Sequence, residues 1–350
     1  MNLADAIAAC PPPTGATTCV AVPDGTRPVD VGAALDALRP YLHAHVHAVV
    51  GLGLHRPMYA EELPPSPFPL IQHDPDDTVS TGTVHGIPGG VSRHARTAVV
   101  LGVGIVELHQ YAGFSGGHKA VAVGLGARAT IDALHHRDRV TAHGVRLGAL
   151  DGNPFRAAVD ALGEAAGCSW VLLYAGGAWF AGEPVTTLRR AAASLDCWWD
   201  VPTRHTAAIL RVPPRKAANF YQASRAATYI GLSADPPLQA GATLYLDARC
   251  PEGLGQGAGE HAFAAVLANG RAPWGELLTG PAPVGGGTQR AIMLAATLQR
   301  FPLVVTSVDD PRPLQAVGIN ATQVSAEELA PADALVVADP FGRLPRFRAP

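Results

Sequence analysis

His109-Gln110-Tyr111-Ala112-Gly113-Phe114-Ser115-Gly116-Gly117-His118-Lys119 lies between an apolar run at 98–102 and an alanine-rich stretch at 127–135. A short apolar run, a glycine-rich turn and a helix-forming stretch together make one strand-to-helix passage, the repeating unit of an α/β fold. Two imidazoles and an amine set around consecutive glycines are costly to keep in a core, because buried polar groups need partners. The stretch that signals the fold therefore also signals a site. His135 follows Lys119 by sixteen positions and adds a candidate metal ligand.

The same alternation continues in both directions. Apolar runs at 18–22, 46–51, 98–102, 170–174, 207–212, 242–247, 303–307 and 334–338 read as buried strands, and 31–42, 127–135, 154–166, 184–195, 222–230, 259–268 and 289–300 read as helices. Asn153-Pro154 supplies a capping side chain followed by a proline suited to the first helical position. The expectation is an α/β protein whose sheets are largely parallel. At 350 residues the chain suits two domains rather than one core. Arg211-Val212-Pro213-Pro214-Arg215-Lys216 is the candidate crossing, giving domains at 1–212 and 213–338, with the tail 339–350 packing back on the first.

Composition narrows the partners. Hydrophobic residues make up 48% and charged residues 16%, as in a folded globular protein, and a net charge of -3 offers no field for nucleic acid or an anionic membrane. No apolar run approaches the roughly 18 residues of a membrane span, and Met1 to Cys10 carries Asp5 and no basic region, so a cytoplasmic protein with a small-molecule partner is expected. Cys10, Cys19, Cys168, Cys197 and Cys250 are scattered and odd in number, which suggests small core residues rather than a disulfide framework or zinc site.

Several motifs admit two readings. Asp24-Gly25-Thr26-Arg27-Pro28 is either an arginine and hydroxyl for a phosphate or a plain Asp-Gly turn. His73-Asp74-Pro75-Asp76-Asp77 reads better as a solvated turn than as a cation loop. Gly124-Leu125-Gly126 with Ala129 fits the alanine form of the dinucleotide fingerprint, with 120–123 as its short preceding strand and Asp151 beyond it. Gly113-Phe114-Ser115-Gly116-Gly117 fits the nucleophile-elbow string, but His118-Lys119 stands where an apolar helix should begin.

Taken together, Asp24-Gly25-Thr26-Arg27-Pro28, Gly53-Leu54-His55-Arg56-Pro57-Met58, the run from His109 to Lys119, His135, Gly152-Asn153-Pro154-Phe155-Arg156 and Tyr221-Gln222-Ala223 resemble the nickel-pincer lactate racemase family in order and spacing. The resemblance implies two α/β domains with an interdomain cleft holding a nickel-bearing pyridinium mononucleotide. Lys119 matches the lysine that joins this cofactor covalently, and His135 matches a nickel ligand. Asp24, Thr26 and Arg27 match the phosphate-side motif, and Ser115, Gly116 and Gly117 the residues lining the nucleotide. His55 and His109 match paired acid/base histidines, and Gln222 and Arg225 the pair that orients the substrate. Arg225 stands where the family motif has a lysine, which implies a substrate other than lactate, larger or more acidic, since a planar guanidinium does not replace an ammonium conservatively.

The implied chemistry is racemisation or epimerisation of a 2-hydroxy acid through a planar 2-keto acid. The carbon-bound hydrogen leaves as hydride to the cofactor while a histidine of near-neutral pKa takes the hydroxyl proton. The expected partners are the hydroxy acid and cofactor-synthesis proteins, with neither nucleic acid nor membrane. Two alternatives stand beside this: a 2-hydroxy acid dehydrogenase using NAD at 124–129, and a non-catalytic nickel- or cofactor-binding homologue.

Overall fold

The structure, a computed structural model, describes residues 1–43, 45–269 and 274–349. It divides into two compact units, Met1–Leu195 and Asp196–Pro350.

The first unit is built on a six-stranded sheet of β1 (Thr17–Pro23), β2 (His45–Gly51), β3 (Leu70–Gln72), β6 (Val99–Ile105), β9 (Cys168–Ala175) and β10 (Ala178–Gly182), in the spatial order β10-β9-β6-β1-β2-β3. Every pairing is parallel except that of the edge strand β10 with β9. The central strands are buried on both faces, so Thr-Thr-Cys-Val-Ala-Val-Pro in β1 and Val-Val-Leu-Gly-Val-Gly-Ile in β6 run almost continuously apolar. Helices α1 (Leu3–Ala9) and α2 (Val31–Leu38) pack Ile7, Leu35 and Leu38 against Val20, Val50, Leu101 and Leu172 of the sheet. An antiparallel hairpin, β4 (Thr78–Val84) and β5 (Ile87–Ser92), and a two-residue pair, β7 (Leu108–His109) with β8 (Gly113–Phe114), complete the strands of this unit. Its other helices are α3 (Lys119–Ala122), α4 (Arg128–Leu134), α5 (Arg137–Val140), α6 (Pro154–Ala165) and α7 (Pro184–Ala193). Asn153 caps α6 as expected, its side chain accepting from Arg156 N with Pro154 at the first helical position.

The second unit holds β12 (His205–Arg211), β13 (Leu238–Asp247), β14 (Leu303–Thr306), β15 (Asn320–Ala321) and β16 (Leu335–Val337) in one wholly parallel sheet ordered β15-β14-β13-β12-β16. A separate parallel pair joins β11 (Trp198–Val201) to β17 (Leu344–Phe347). The helices are α8 (Phe220–Gly231), α9 (Ala258–Asn269), α10 (Glu276–Thr279), α11 (Thr288–Leu298), α12 (Arg312–Ala316) and α13 (Ala326–Leu329). α8 is buried along its whole length and is capped by Asn219, whose side chain accepts from Gln222 N.

The α/β class and the largely parallel sheets agree with the sequence reading. The unit boundary does not fall at 212/213. β12 is paired on both flanks, Ala208 with Leu244 on one side and Leu335 on the other, so it lies inside the second sheet, and the segment 213–216 links β12 to α8 within one unit. The tail is extended as expected and pairs with Trp198–Val201, a segment of the second unit that the sequence reading had assigned to the first domain. Pro350 lies outside the described residues. Among the described residues, no helix is long and apolar enough to cross a membrane.

Candidate functional site

Parallel strands end on the same side of their sheet, and ligands of open α/β sheets collect beyond those carboxyl ends. Pro23 of β1 is level with Gly51 of β2, and Ala21 with Gly102 of β6, so the loops carrying Asp24, His55 and His109 leave three neighbouring strands at one edge. Asp24 follows β1 directly and is buried. Its Oδ2 accepts from His55 Nδ1 at 2.6 Å, while its Oδ1 accepts from Thr26 N at 3.0 Å and Thr26 Oγ1 at 2.5 Å. Burial pushes this carboxyl up. The His55 imidazole, by charge and hydrogen bond, together with Arg27 and Thr26, more than reverses that and holds it well below the usual carboxylate range. The Asp24 carboxylate is thus occupied in orienting His55 and closing its own turn.

Beyond β6 the chain makes a compact loop. Ser115 donates its hydroxyl to Ile105 O at 2.7 Å and accepts from Glu107 N at 2.9 Å, and its own N–H reaches Glu107 O at 2.8 Å. Gly113 is left-handed, with φ of 74°, and a Cβ there would lie 2.0 Å from Ala149 O, so only glycine fits. The loop delivers Lys119, half-buried, to the first position of α3. His109 Nδ1 accepts from two backbone amides, Ala112 N at 3.1 Å and Tyr111 N at 3.3 Å.

His135, at the end of α4, is buried and donates Nδ1–H to Ile131 O at 2.9 Å. Its ring meets Phe155 at 5.3 Å and Tyr111 at 6.0 Å between centroids, and Tyr111 in turn meets His109 at 5.7 Å. The loop from β6 and the residue sixteen positions after its lysine are therefore gathered into one aromatic cluster.

Residues around 153–160 brace that cluster. Asn153 donates to Tyr111 O at 2.8 Å and Ala149 O at 2.9 Å. Arg156, almost fully buried, donates to Gly116 O at 3.3 Å and forks onto Asp160 at 2.6 and 3.0 Å. Both ring nitrogens of His118 face acceptors, Asp160 Oδ1 at 3.1 Å and Cys168 O at 3.2 Å. Sequence reading quoted Asn153 and Arg156 only as parts of a motif. Their bracing role was hidden because it depends on carbonyls about forty residues upstream.

The competing motifs take other forms. Residues 120–122 belong to helix α3 rather than to a strand, and Gly124 packs against Gly51, whose Cβ would lie 3.0 Å from Gly124 Cα. The Gly-Leu-Gly string is a close backbone approach, with Gly53 N donating to Gly124 O at 3.0 Å, and Asp151 is exposed and paired with Arg189. This removes the strand that a dinucleotide fingerprint requires. Ser115 is buried with its hydroxyl engaged, unlike an exposed nucleophile. Asp74 and Asp76 form the expected turn, with Asp76 paired to Arg128. Among the described residues, no three His, Cys, Asp or Glu side chains form a metal-binding group.

In the second unit, Gln222 and Arg225 lie one turn apart on α8, both buried, and Arg225 donates from Nη2 to Gln222 Oε1 at 2.7 Å. The Arg225 guanidinium lies 5.2 Å from the Phe341 ring centroid, and Lys216 Nζ lies 5.6 Å from the same ring. Arg290 stacks on the preceding aromatic residue, Tyr221, at 4.3 Å. Gln222 and Arg225 are thus brought together, and Arg225 shares the Phe341 ring with a lysine, Lys216, that sequence reading did not single out.

Residues 12–148 match the family model described as the lactate racemase N-terminal domain. The first unit thus carries a segment similar to the lactate racemase N-terminal domain. Over the whole chain the fold is that of the lactate racemase apoprotein from Thermoanaerobacterium thermosaccharolyticum, with a TM-score of 0.79 at 17% identity, covering 99% of this chain and 93% of that one. A second similar structure is a protein from Thermotoga maritima, with a TM-score of 0.72 at 15% identity, covering 99% and 96%. No curated protein matches the sequence. The matched lactate racemase segment contains Asp24, His55, His109, Lys119 and His135.

Proposed function

We propose that the protein is a racemase or epimerase of a 2-hydroxy acid that works with a nickel-pincer pyridinium mononucleotide. The observation that carries this reading is the gathering of the Asp24–His55 pair, the His109–Lys119 loop and His135 on one edge of a lactate racemase domain. The residues suit such a group. With Nδ1–H donated to Ile131 O, the neutral His135 ring carries its lone pair on Nε2, the tautomer in which imidazole binds a metal. A single protein imidazole is enough for a metal whose other donors come with its cofactor. Lys119 would hold the cofactor covalently, while Thr26, Arg27, Gly116 and Gly117 would meet its phosphate and nucleotide portions.

When bound, the cofactor supplies a two-electron hydride acceptor, so that a hydroxy acid can pass through its planar keto acid. The protein's part is to hold the substrate and handle its hydroxyl proton. Gln222 and Arg225 would hold the carboxylate, and a guanidinium in place of an ammonium favours a hydroxy acid larger or more acidic than lactate.

The test is production together with the cofactor-synthesis proteins, followed by intact mass and nickel content of wild type and Lys119→Ala. The expected result is a mononucleotide-sized mass increment and about one nickel per chain in wild type, with no covalent increment in the variant. The loaded protein should then equilibrate D- and L-hydroxy acids without added NAD. Failure to load while a family control loads normally would end the assignment.

A further inference from the structure

The Gln222–Arg225 pair starts in the first turn of α8, the turn whose backbone N–H groups find no partners within a helix. Here partners come from outside it. Phe220 N donates to Gly253 O at 2.8 Å, and Gln222 N to the Asn219 side-chain oxygen at 3.0 Å. Gly253 lies in the loop that leaves β13, and this loop runs beside the approach to α8. Cys250 N donates to Ala217 O and Glu252 N to Ala218 O, both at 2.9 Å.

The Asn219 side chain joins the two segments as well. Its Oδ1 is taken by Gln222 N, and its Nδ2 donates to two carboxylates, Glu252 Oε2 at 2.9 Å and, more weakly, Glu260 Oε1 at 3.4 Å. An amide nitrogen only donates and a carboxylate only accepts, so one orientation of the side chain satisfies all three partners. Glu260 is fixed in turn. Its Oε2 accepts from Gln256 N at 2.6 Å and Gly257 N at 2.7 Å where α9 begins, and a Cβ on Gly255 would come within 2.6 Å of that oxygen. Capping α8 requires only an oxygen, which serine or aspartate would supply. The amide of Asn219 does more than that: it ties the cap, and Gln222 with it, to the loop after β13 and to the start of α9.

We propose that Asn219 is a positioning residue for the substrate, setting Gln222, and through it the Arg225 guanidinium, where a substrate carboxylate is received. This rests on the racemase reading and adds the part of the fold that sets the carboxylate grip. Arg225 donates to Gln222 Oε1 at 2.7 Å and to Gln222 O at 3.3 Å, so a shift of Gln222 carries both groups. Glu252 is the nearer anchor of Asn219 and Glu260 the farther one.

Asn219→Asp separates this role from plain capping. Aspartate caps a helix as well as asparagine does, but it sets an acceptor against Glu252 and Glu260. Hydrogen exchange followed by NMR on the full chain should show the Gln222 backbone amide opening at least about tenfold faster in the variant. Adding Glu252→Gln exchanges donor and acceptor across the shorter contact and should recover part of the protection. Asn219→Ser, which keeps a capping oxygen and loses the amide, repeats the comparison without the added charge. Equal protection of Gln222 in wild type and both single variants reduces Asn219 to a cap and overturns the proposal, whatever the protein racemises.

Kinetics of the loaded enzyme complete the test. Asn219→Asp should lower kcat/KM by about 10–10²-fold. The loss should fall mainly on KM, because a carboxylate grip serves substrate and transition state alike, and Glu252→Gln should restore part of it. A merely structural defect would reduce the active fraction, lowering kcat at unchanged KM, and that result also overturns the proposal. If wild type racemises and the variants match it, only the proposal fails. If wild type loads and racemises no hydroxy acid, the racemase reading fails and Asn219 has no substrate to position.

Discussion

His135 donates its Nδ1 proton to the carbonyl of Ile131, one helical turn earlier, at 2.9 Å. The helix that positions the ring therefore also selects its tautomer, and the lone pair of the neutral ring lies on the other nitrogen, Nε2. His135→Ala should keep the fold and weaken nickel retention by at least about tenfold, since losing even an outer-shell partner of a metal ligand costs that much. Nickel content after dialysis checks this, and unchanged retention would remove His135 from the metal site.

Asp24 makes a pH-dependent contribution to stability whose sign follows from its environment. Its carboxyl ordinarily titrates at 3.8 and is held lower in the folded protein, because His55, Arg27 and Thr26 outweigh the opposing effect of burial. A group depressed in the folded state stabilises the protein above its unfolded pKa, and that stabilisation is lost as pH falls through the folded value. At pH 7 Asp24→Asn should be less stable than wild type by about 1–3 kcal/mol. In urea titrations the gap should narrow once the pH drops below about 4. A gap that widens on acidification would contradict the sign.

Arg156→Met should cost about 3–5 kcal/mol, because it leaves the Asp160 carboxylate and its His118 partner without their buried cation. Thermal unfolding would register the loss. The same variant frees the Gly116 carbonyl and, on the proposed function, should slow covalent loading at Lys119. A variant as stable as wild type would show that the Asp160–His118 pair needs no cation.

Burial pushes the Cys19, Cys168 and Cys250 thiols up to about 12 and Cys197 to about 11, so little thiolate is present at neutral pH. A disulfide reagent should label Cys10 at most in the native protein, because the other four are buried, and all five cysteines after unfolding. Rapid labelling of two or more native thiols would contradict this burial.

The apolar runs announced the central strands because those strands are covered on both faces. The reading 18–22 became Thr17–Pro23, and 46–51 became His45–Gly51. The hairpin Thr78–Val84 and Ile87–Ser92 was not legible, since it is half-exposed and carries Gly82, Pro88, Gly89 and Gly90. The boundary was misplaced because Pro213-Pro214 imitates a linker while strand pairing, which composition does not report, ties His205–Arg211 into the second sheet. At the site, motif spacing pointed to the residues but not to what they touch. Asp24 was assigned to a phosphate and Ser115 to a nucleotide; what spacing could not report is that the one holds His55 and the other closes the loop after β6. Those pairings join positions 31 and 10 residues apart, so they depend on the sheet having formed.

Gly51 and Gly124 meet backbone to backbone, and the next glycine, Gly53, donates to Gly124 O at 3.0 Å. His55 lies two residues beyond one end of that contact, and the helix opened by Lys119 runs into the other. With no side chain between them, the two segments touch backbone to backbone, so a side chain added at Gly51 or Gly124 would push the His55 loop and the Lys119 helix apart together.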